Sequence, residues 1–344
     1  MDFILHKDFS SLESEAWNAL LSESITNVPF LRHEYLRNWW QTRGGGEWES
    51  PELVLVSASD NGRLIGIAPL FVAEHDTSAA LGTGGARALM LVGSIEISDY
   101  LDLIVREVDL PRFLAGLLDF VLSSGPSAGS GLDWWNLPDS TPTLATLRAE
   151  AGRRGWNYAQ EIYRPTPTIV LNGGYEAYLA GLEKKQRHEM RRKVRRAEER
   201  GARWYLAGEG ANLEAEIEAF LTLMEDDQNK ANFLRPAMRA QMRLCMRAAH
   251  ENGWLWLAFL EIDGRKAAAA LNFDYQNRLW GYNSGVDSSF LELSPGWVLL
   301  TYTLQWAAEH GRAEFDFMRG DEEYKYRFGA LNRHVMRAKV VRES

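Results

Sequence analysis

Features that would direct a secreted or membrane function are scarce. The 344 residues include one cysteine, Cys245, so no internal disulfide can form. A chain without disulfides is typical of a reducing compartment, and we predict a cytoplasmic protein. Apolar runs such as residues 255–260 are too short to cross a bilayer. The N-terminus lacks the basic and then apolar segments of a signal peptide, so membrane insertion is not expected.

Excess positive charge is also missing. The chain carries 38 basic and 47 acidic residues, a formal net charge of −9, which argues against DNA as a partner. Its seven histidines are scattered, and a single cysteine cannot build a zinc site. The sequence therefore predicts no metal cofactor.

The length and the order of elements predict two domains. A chain of 344 residues exceeds one ordinary core. Helices, then a meander of strands, then a strand–helix–strand unit occur in this order twice. We therefore predict two copies of one α/β (α+β) fold, each a mixed, mostly antiparallel sheet flanked by helices. The expected boundary lies near Gly173, giving domains of residues 1–172 and 173–344.

The most informative segment begins with a predicted strand at 279–284 and a helix at 295–310. Ser294 can cap this helix, Pro295 suits its first turn, and Gly296 allows a ligand to approach the backbone. Free N–H groups and the positive end of the helix dipole would then favour an anion such as a pyrophosphate. A capped helix without a ligand is the alternative.

A predicted strand at 312–318 places Asp316 and Glu314 on one face and two phenylalanines on the other. A carboxylate in a central strand is costly unless it is paired. Asp316 is a candidate general base that takes a proton from an amine. An ion pair with Lys325 or with an arginine of the basic helix is the competing interpretation.

The acidic turn that follows contains further candidates. Asp321 as helix N-cap is a structural explanation, and a catalytic role for Asp321 is the alternative. The phenol of Tyr324 could protonate a leaving thiolate, and Lys325 could bind a phosphate or a carboxylate of the substrate.

Residues 175–200 are predicted to form one long basic helix. Nine lysine and arginine side chains fall within residues 184–200, whereas the chain as a whole is acidic. Arg187, Arg191 and Arg195 are candidates for an anionic substrate, coenzyme A or the acceptor stem of a charged tRNA. A solvated helix face is the alternative.

These motifs together resemble the bacterial tandem-GNAT proteins grouped as BioF2-like or CelD-like acetyltransferases, which are relatives of the Fem aminoacyl transferases. The resemblance is carried by PFLRHEYLRNWW (29–40), GRLIGIAPL (62–70), SDYLD (98–102), YLAGLEKKQRHEMRRKVRR (178–196) and GRAEFDFMRGDEEYK (311–325). It implies two GNAT-like domains side by side, with the active cleft in the second and a wall supplied by the first.

The resemblance also implies a site. The strand at 279–284 would splay from its neighbour and offer backbone groups to the pantetheine and acyl carbonyl. Residues expected to bind acetyl-CoA or another acyl-CoA are Asn283, Ser284, Ser294, Pro295, Gly296 and Trp297. Tyr282 would contact the acceptor, and so would Asp99 and Tyr100 if they line the cleft rather than forming a turn.

The function implied is acyl transfer from a thioester to an amine, or a hydroxyl, of a small-molecule or saccharide acceptor, such as a sugar or cell-envelope precursor. In GNAT chemistry the amine attacks the thioester directly. Two alternatives stay open. One is a Fem-like transferase that uses aminoacyl-tRNA. The other is a degenerate GNAT pair that acts as a binding protein.

Overall fold

The computed structural model describes residues 1–74, 87–123, 127, 130–208 and 212–341. The chain forms two compact units, one of Met1–Arg164 with His334–Ser344 and one of Pro165–Arg333. These bounds differ from the predicted division at residues 172 and 173. The last strand returns to the first unit, because its backbone pairs with a strand there.

The first unit is built around one sheet. Its strands are β1 (Asp2–His6), β2 (Glu52–Asp60), β3 (Arg63–Glu74), β4 (Arg87–Leu91), β5 (Ile104–Val105), β6 (Gly131–Pro138), β7 (Asn157–Pro165) and, from the end of the chain, β14 (His334–Val341). Its helices are α1 (Ser14–Ser22), α2 (His33–Gly46), α3 (Leu110–Ser123) and α4 (Pro142–Arg153).

The strand order in this sheet is β1-β2-β3-β4-β6-β14-β7, with β5 paired to β3. The predicted hairpin of β2 and β3 is confirmed. Asn61 and Gly62 both have positive φ at its turn, as the tight hairpin turns that suit twisted strands require. The pair β4 and β6 is parallel, whereas β6 and β14 are antiparallel, so the sheet is mixed.

The second unit repeats this architecture. Its strands are β8 (Thr168–Val170), β9 (Arg203–Leu206), β10 (Leu255–Ile262), β11 (Arg265–Tyr275), β12 (Arg278–Val286) and β13 (Glu314–Asp316). Its helices are α5 (Gly174–Gly181), α6 (Lys184–Glu198), α7 (Leu213–Glu225), α8 (Gln228–Phe233), α9 (Pro236–Glu251), α10 (Pro295–Glu309) and α11 (Glu323–Arg327).

The prediction of a single helix over residues 175–200 is wrong. Two helices, α5 and α6, are separated by Leu182 and Glu183, and Leu182 is extended with φ −80° and ψ 155°. Leu182 is buried in the apolar core of this unit. A straight helix would lose this burial, and Gly181, which directly precedes the break, is a poor helix former.

The sheet of the second unit has the order β8-β13-β12-β11-β10-β9. Strands β10, β11 and β12 form an antiparallel meander, and the predicted hairpin of β10 and β11 is confirmed. β12 and β13 are parallel and are joined by α10, which packs on β11 and β12. This strand–helix–strand unit follows the predicted order and positions the cavity described next.

Candidate active site

A cavity of about 510 Å³ lies within the second unit. Strands β11 and β12, helices α8, α10 and α11, and the segment around β13 contribute its walls. The lining residues are Lys230, Ala269, Ala270, Asn272, Gly281, Tyr282, Asn283, Ser284, Gly296, Trp297, Leu299, Leu300, Thr303, Phe315, Phe317, Arg319, Glu322, Tyr324, Lys325 and Phe328. This volume falls in the range of pockets that hold small molecules.

The cavity lies where two parallel strands separate. β13 pairs with β12 only from Arg278 to Trp280, whereas β12 continues to Val286 on its other partner, β11. Within the described chain, the second half of β12 has no strand partner on the β13 side. The register with β11 also shifts here, leaving Tyr282 as the extra residue of a bulge. Bulges turn backbone groups out of the ladder and are frequent beside active sites.

A glycine keeps this separation open. A Cβ atom at Gly281 would lie 2.9 Å from Cζ of Phe315 and 3.3 Å from the backbone oxygen of Asp316. Any larger residue would push β12 away from Phe315, which lines the cavity. The sequence therefore places glycine where the backbone and an aromatic ring approach each other closely.

The first turn of α10 borders the cavity through Gly296 and Trp297. Ser294 occupies the N-cap position, but its side chain makes no capping hydrogen bond, contrary to our expectation. Its backbone is left-handed, with φ 54°, whereas side-chain caps usually have extended backbone. Pro295 follows at the first helical position. The early N–H groups therefore have no side-chain cap from Ser294.

Trp297 is held between a cation and a second ring. The Lys193 ammonium lies 4.0 Å from the Trp297 ring centre, and the Phe328 ring lies 4.4 Å away on centroids. Burial lowers the pKa of Lys193 from its usual value. Lys193 thus brings the basic helix α6 into contact with a wall of the cavity.

Tyr324 lines the cavity beside Phe317, with ring centroids 5.8 Å apart at 84°. Burial, and secondly the charge of Glu322, raise the pKa of Tyr324 to about 12. Its phenol therefore stays protonated near neutral pH and can donate a hydrogen bond. The placement agrees with its candidate role at the mouth of a site.

Lys325 is 3% exposed and its ammonium is already engaged. It donates to the carbonyl oxygens of Arg319 at 3.0 Å and Gly320 at 3.3 Å, and it pairs with Glu322 at 2.9 Å. These contacts fix the turn after β13. Lys325 lines the cavity, but its charge serves the turn rather than an anionic substrate.

Lys230 of α8 lines the cavity and was missed by the sequence analysis. Its ammonium donates to the carbonyl oxygen of Ser284 at 2.5 Å, and the Ser284 N–H donates to Oδ1 of Asn283 at 2.8 Å. Both backbone groups of Ser284 are therefore occupied by side chains. Burial lowers the pKa of Lys230. The sequence carries no signal for this contact, because α8 and β12 are far apart along the chain.

The structure does not support Asp316 as a general base. Phe315 and Phe317 line the cavity, and strand alternation places Asp316 on the opposite face. Asp316 is 1% exposed and accepts from the Met318 N–H at 2.8 Å. The Arg278 guanidinium lies 4.0 Å away. The ion-pair interpretation fits this environment, although the partner is Arg278 rather than Lys325 or an arginine of the basic helix.

Asp321 does not line the cavity either, and α11 begins one residue later than expected, with Glu322 at its N-cap position. The Asp321 carboxylate accepts from the Tyr326 hydroxyl at 2.6 Å. Glu322 is the carboxylate that does line the cavity. Sequence spacing could not separate these two neighbouring acids, because the turn between β13 and α11 decides which one points inward.

The three arginines proposed for substrate binding lie outside the cavity. Arg187 donates to the carbonyl oxygens of Leu179 and Leu182, so it caps the end of α5. Arg195 is exposed and 3.9 Å from Glu199, and Arg191 is exposed. Arg187 is therefore structural, whereas Arg191 and Arg195 remain open to a ligand outside the cavity.

Asp99 and Tyr100 belong to the first unit and do not line the cavity, and Tyr100 is buried. The neighbouring Asp102 is fully buried and accepts hydrogen bonds from three threonine hydroxyls. These are Thr26 at 2.7 Å, Thr141 at 2.5 Å and Thr143 at 2.6 Å. Burial raises the pKa of Asp102, and the three hydroxyls act against that rise. This segment is thus anchored as part of the fold.

Among the described residues, no group of three or more His, Cys, Asp or Glu side chains could hold a metal ion. No helix in the described part of the chain is both long and apolar enough for a membrane span.

The comparisons with known proteins agree with this architecture. Residues 184–326 match the family model described as an acetyltransferase (GNAT) domain. The solved structure of FemX is 12% identical, with 98% of this chain and 97% of that chain covered and a TM-score of 0.69. A tandem GNAT protein from the clavulanic acid biosynthesis pathway is 13% identical, with coverage of 100% and 99% and a TM-score of 0.51.

The chain has two GNAT-like domains. A further similar structure, L-PGS from Bacillus licheniformis, is 11% identical, covers 96% of this chain and 92% of its own, and has a TM-score of 0.56. No curated protein gave a significant match. The predicted fold class is confirmed, and the matched model covers every cavity residue except Phe328 and supports an acyltransferase. The assignment to the BioF2-like or CelD-like group stays a prediction.

Proposed function

We propose that the protein transfers an acyl group from acyl-CoA to an amine, or a hydroxyl, of a small-molecule or saccharide acceptor of the sugar or cell-envelope type. One observation carries this proposal. The cavity lies between the separated ends of β12 and β13 and borders the first turn of α10, and all its lining residues except Phe328 fall within the match to the GNAT model. The same proposal places the protein in the cytoplasm and in the BioF2-like or CelD-like group. It includes no DNA among the binding partners.

The donor would bind along this separation. The amide-rich arm of coenzyme A can form hydrogen bonds with a strand edge, and β12 has such an edge beyond Trp280. The diphosphate would lie at the first turn of α10, where N–H groups and the helix dipole favour negative charge. Gly296 leaves the backbone accessible at that point. Pairing with Ser284 requires that Lys230 and Asn283 first release its backbone groups.

The chemistry would be direct transfer. The acceptor nitrogen attacks the thioester carbonyl, a C–N bond forms and the C–S bond breaks. The proton lost by nitrogen ends on the thiolate of coenzyme A. Backbone N–H groups at the Tyr282 bulge would stabilise the oxyanion, and Tyr324, protonated at neutral pH, would donate a hydrogen bond to the leaving sulfur. Glu322, which lines the cavity and pairs with Lys325, would accept the proton.

Thiol release from acetyl-CoA and longer acyl-CoAs, measured with a panel of amino sugars and amines, tests the activity. We expect thiol release that depends on the acceptor, with an equal amount of acylated acceptor by mass spectrometry. If the folded protein binds neither coenzyme A nor any acyl-CoA by calorimetry, the proposal is wrong.

A Fem-like transfer from aminoacyl-tRNA is the second candidate. It is favoured by the fold match to FemX over almost the whole of both chains and by the exposed arginines of α6, which an RNA phosphate could contact. Parallel reactions with labelled aminoacyl-tRNA and with acyl-CoA as donor, each followed by transfer of the label or acyl group to the acceptor, distinguish the two candidate functions. Transfer from the RNA alone would replace the acyl-CoA proposal.

A further inference from the structure

One buried amide in the cavity has no partner. Asn272 of β11 lines the cavity and is 3% exposed, and its Nδ2 makes no hydrogen bond to any described residue. An amide donor that is buried and unpaired lowers stability, and such groups are rare in native proteins. The residue therefore calls for a partner that the chain itself does not provide.

Part of the cavity wall is apolar. β11 contributes Ala269 and Ala270, and α10 contributes Leu299 and Leu300 from beyond its first turn. Thr303 also lines the cavity, but its hydroxyl donates to the carbonyl oxygen of Leu299 at 2.8 Å, so its hydrogen is already used. Asn272 is thus an unsatisfied donor of the cavity, and the indole N–H of Trp297 at the first turn of α10 is another.

The cavity extends well past the first turn of α10, to Leu300 and Thr303. An acetyl group has a single methyl beyond its carbonyl and would leave this inner part unfilled. A saturated longer chain would fill the apolar wall but leave the Asn272 amide without a partner. A longer acyl chain that carries an oxygen atom would both pack against the apolar wall and accept a hydrogen bond from the amide.

We propose that the acyl group is longer than acetyl and carries a hydroxyl or carbonyl oxygen that accepts a hydrogen bond from Nδ2 of Asn272. The inference rests on the proposed acyl-CoA function and names its donor class. Asn272 would determine which acyl donor binds, and it would take no part in the bonds that form and break.

Calorimetry with matched thioesters tests the inference. The probes are free coenzyme A, acetyl-CoA, butyryl-CoA, 3-hydroxybutyryl-CoA and acetoacetyl-CoA. The wild-type protein is expected to bind one of the two oxygen-bearing four-carbon thioesters about 10-fold or more tightly than butyryl-CoA, as one satisfied buried donor implies. In Asn272→Leu this preference is lost, while the affinity for free coenzyme A is unchanged.

Two further variants make the result specific. Asn272→Asp keeps the shape of the side chain and removes the donor, so it should lose the same preference. Thr301→Val is the matched control, because Thr301 is a buried hydroxyl of α10 that lies outside the cavity and donates to Trp297. This control should keep the wild-type preference.

Thermal melting of the free protein gives an independent readout. Asn272→Leu should melt at or above the wild-type temperature, because it removes an unpaired buried polar group. A lower melting temperature with unchanged donor preference would make Asn272 structural and overturn the inference. Equal binding of all four-carbon thioesters would also overturn it while leaving acyl-CoA use intact. No binding of any coenzyme A compound would remove both proposals together.

Discussion

The substitution Asp316→Asn separates a structural role from a catalytic one. The asparagine has nearly the same size and can still accept from the Met318 N–H, which lies 2.8 Å from the carboxylate. It removes the charge that faces Arg278 at 4.0 Å and weakens the contact with the Thr168 hydroxyl at 3.4 Å. The reaction cavity is not contacted, because Asp316 lies on the other face of the strand.

The magnitude follows from these contacts. Removing one partner of a fully buried ion pair costs about 3–5 kcal/mol. Arg278 is partly exposed and still forms its ion pair with Glu314 at 2.6 Å in the variant. The variant therefore does not leave Arg278 as a buried, unpaired charge, and most of that penalty does not apply. The loss is mainly that of charge-assisted hydrogen bonds, each worth about 1.5–3 kcal/mol. We expect the free energy of unfolding to fall by about 2–3 kcal/mol.

Urea melts followed by circular dichroism give the stability, and single-turnover acyl transfer at low temperature gives the rate. Asp316→Asn should melt at lower urea yet turn over at nearly the wild-type rate. The matched change Glu322→Gln, on the cavity side, should lower the rate, and it should cost less stability because Lys325 keeps the carbonyl oxygens of Arg319 and Gly320. Wild-type stability with a rate lowered about 100-fold in Asp316→Asn would refute this reasoning and make Asp316 the base.

Three further predictions concern the walls of the site. Tyr324→Phe should lower turnover about 10-fold or more without weakening donor binding. Burial raises the pKa of Tyr324 from 10.0 to about 12, so the difference in absorbance between wild type and this variant should show tyrosinate only above pH 10. Gly281→Ala should raise the Kd for the donor in calorimetry, since its Cβ would lie 2.9 Å from the Phe315 ring; an unchanged Kd would mean that the separated strands are not the donor site. Arg187→Met should lower the melting temperature, because it uncaps α5, whereas the exposed Arg191→Met should leave it unchanged; equal melting of the two would contradict the capping role.

Local sequence signals predicted the strand–helix–strand unit well. Pro295 marks the start of α10, and alternation correctly divided Asp316 from Phe315 and Phe317. Alternation does not say which face meets the cavity, because that depends on where α10 and α11 pack. The aromatic face, rather than the acidic one, turned out to be the cavity wall.

The residues missed by sequence reasoning come from distant segments. Lys230 contacts β12 from α8, which is distant in sequence. Asn272 cannot be distinguished in the sequence from an ordinary polar residue of a strand, because its burial is visible only in the structure. The break at Leu182 follows Gly181, a poor helix former, but this one local signal was outweighed by the helix formers farther along on both sides. The pairing of β14 with β6 across the chain also has no local signature, because the partners are far apart in sequence.

Coenzyme A titrated calorimetrically into wild type, Gly296→Glu and Gly181→Glu tests the central claim. Gly296 lines the cavity at the start of α10, where a Cβ would meet Val286 at 3.2 Å, whereas a Cβ at Gly181 meets no atom within 4 Å. Both variants add one negative charge to the second domain. We predict binding to wild type and Gly181→Glu, and at least about 10-fold weaker binding to Gly296→Glu, because a like charge then faces the diphosphate. Wild-type affinity in a folded Gly296→Glu variant would contradict the account.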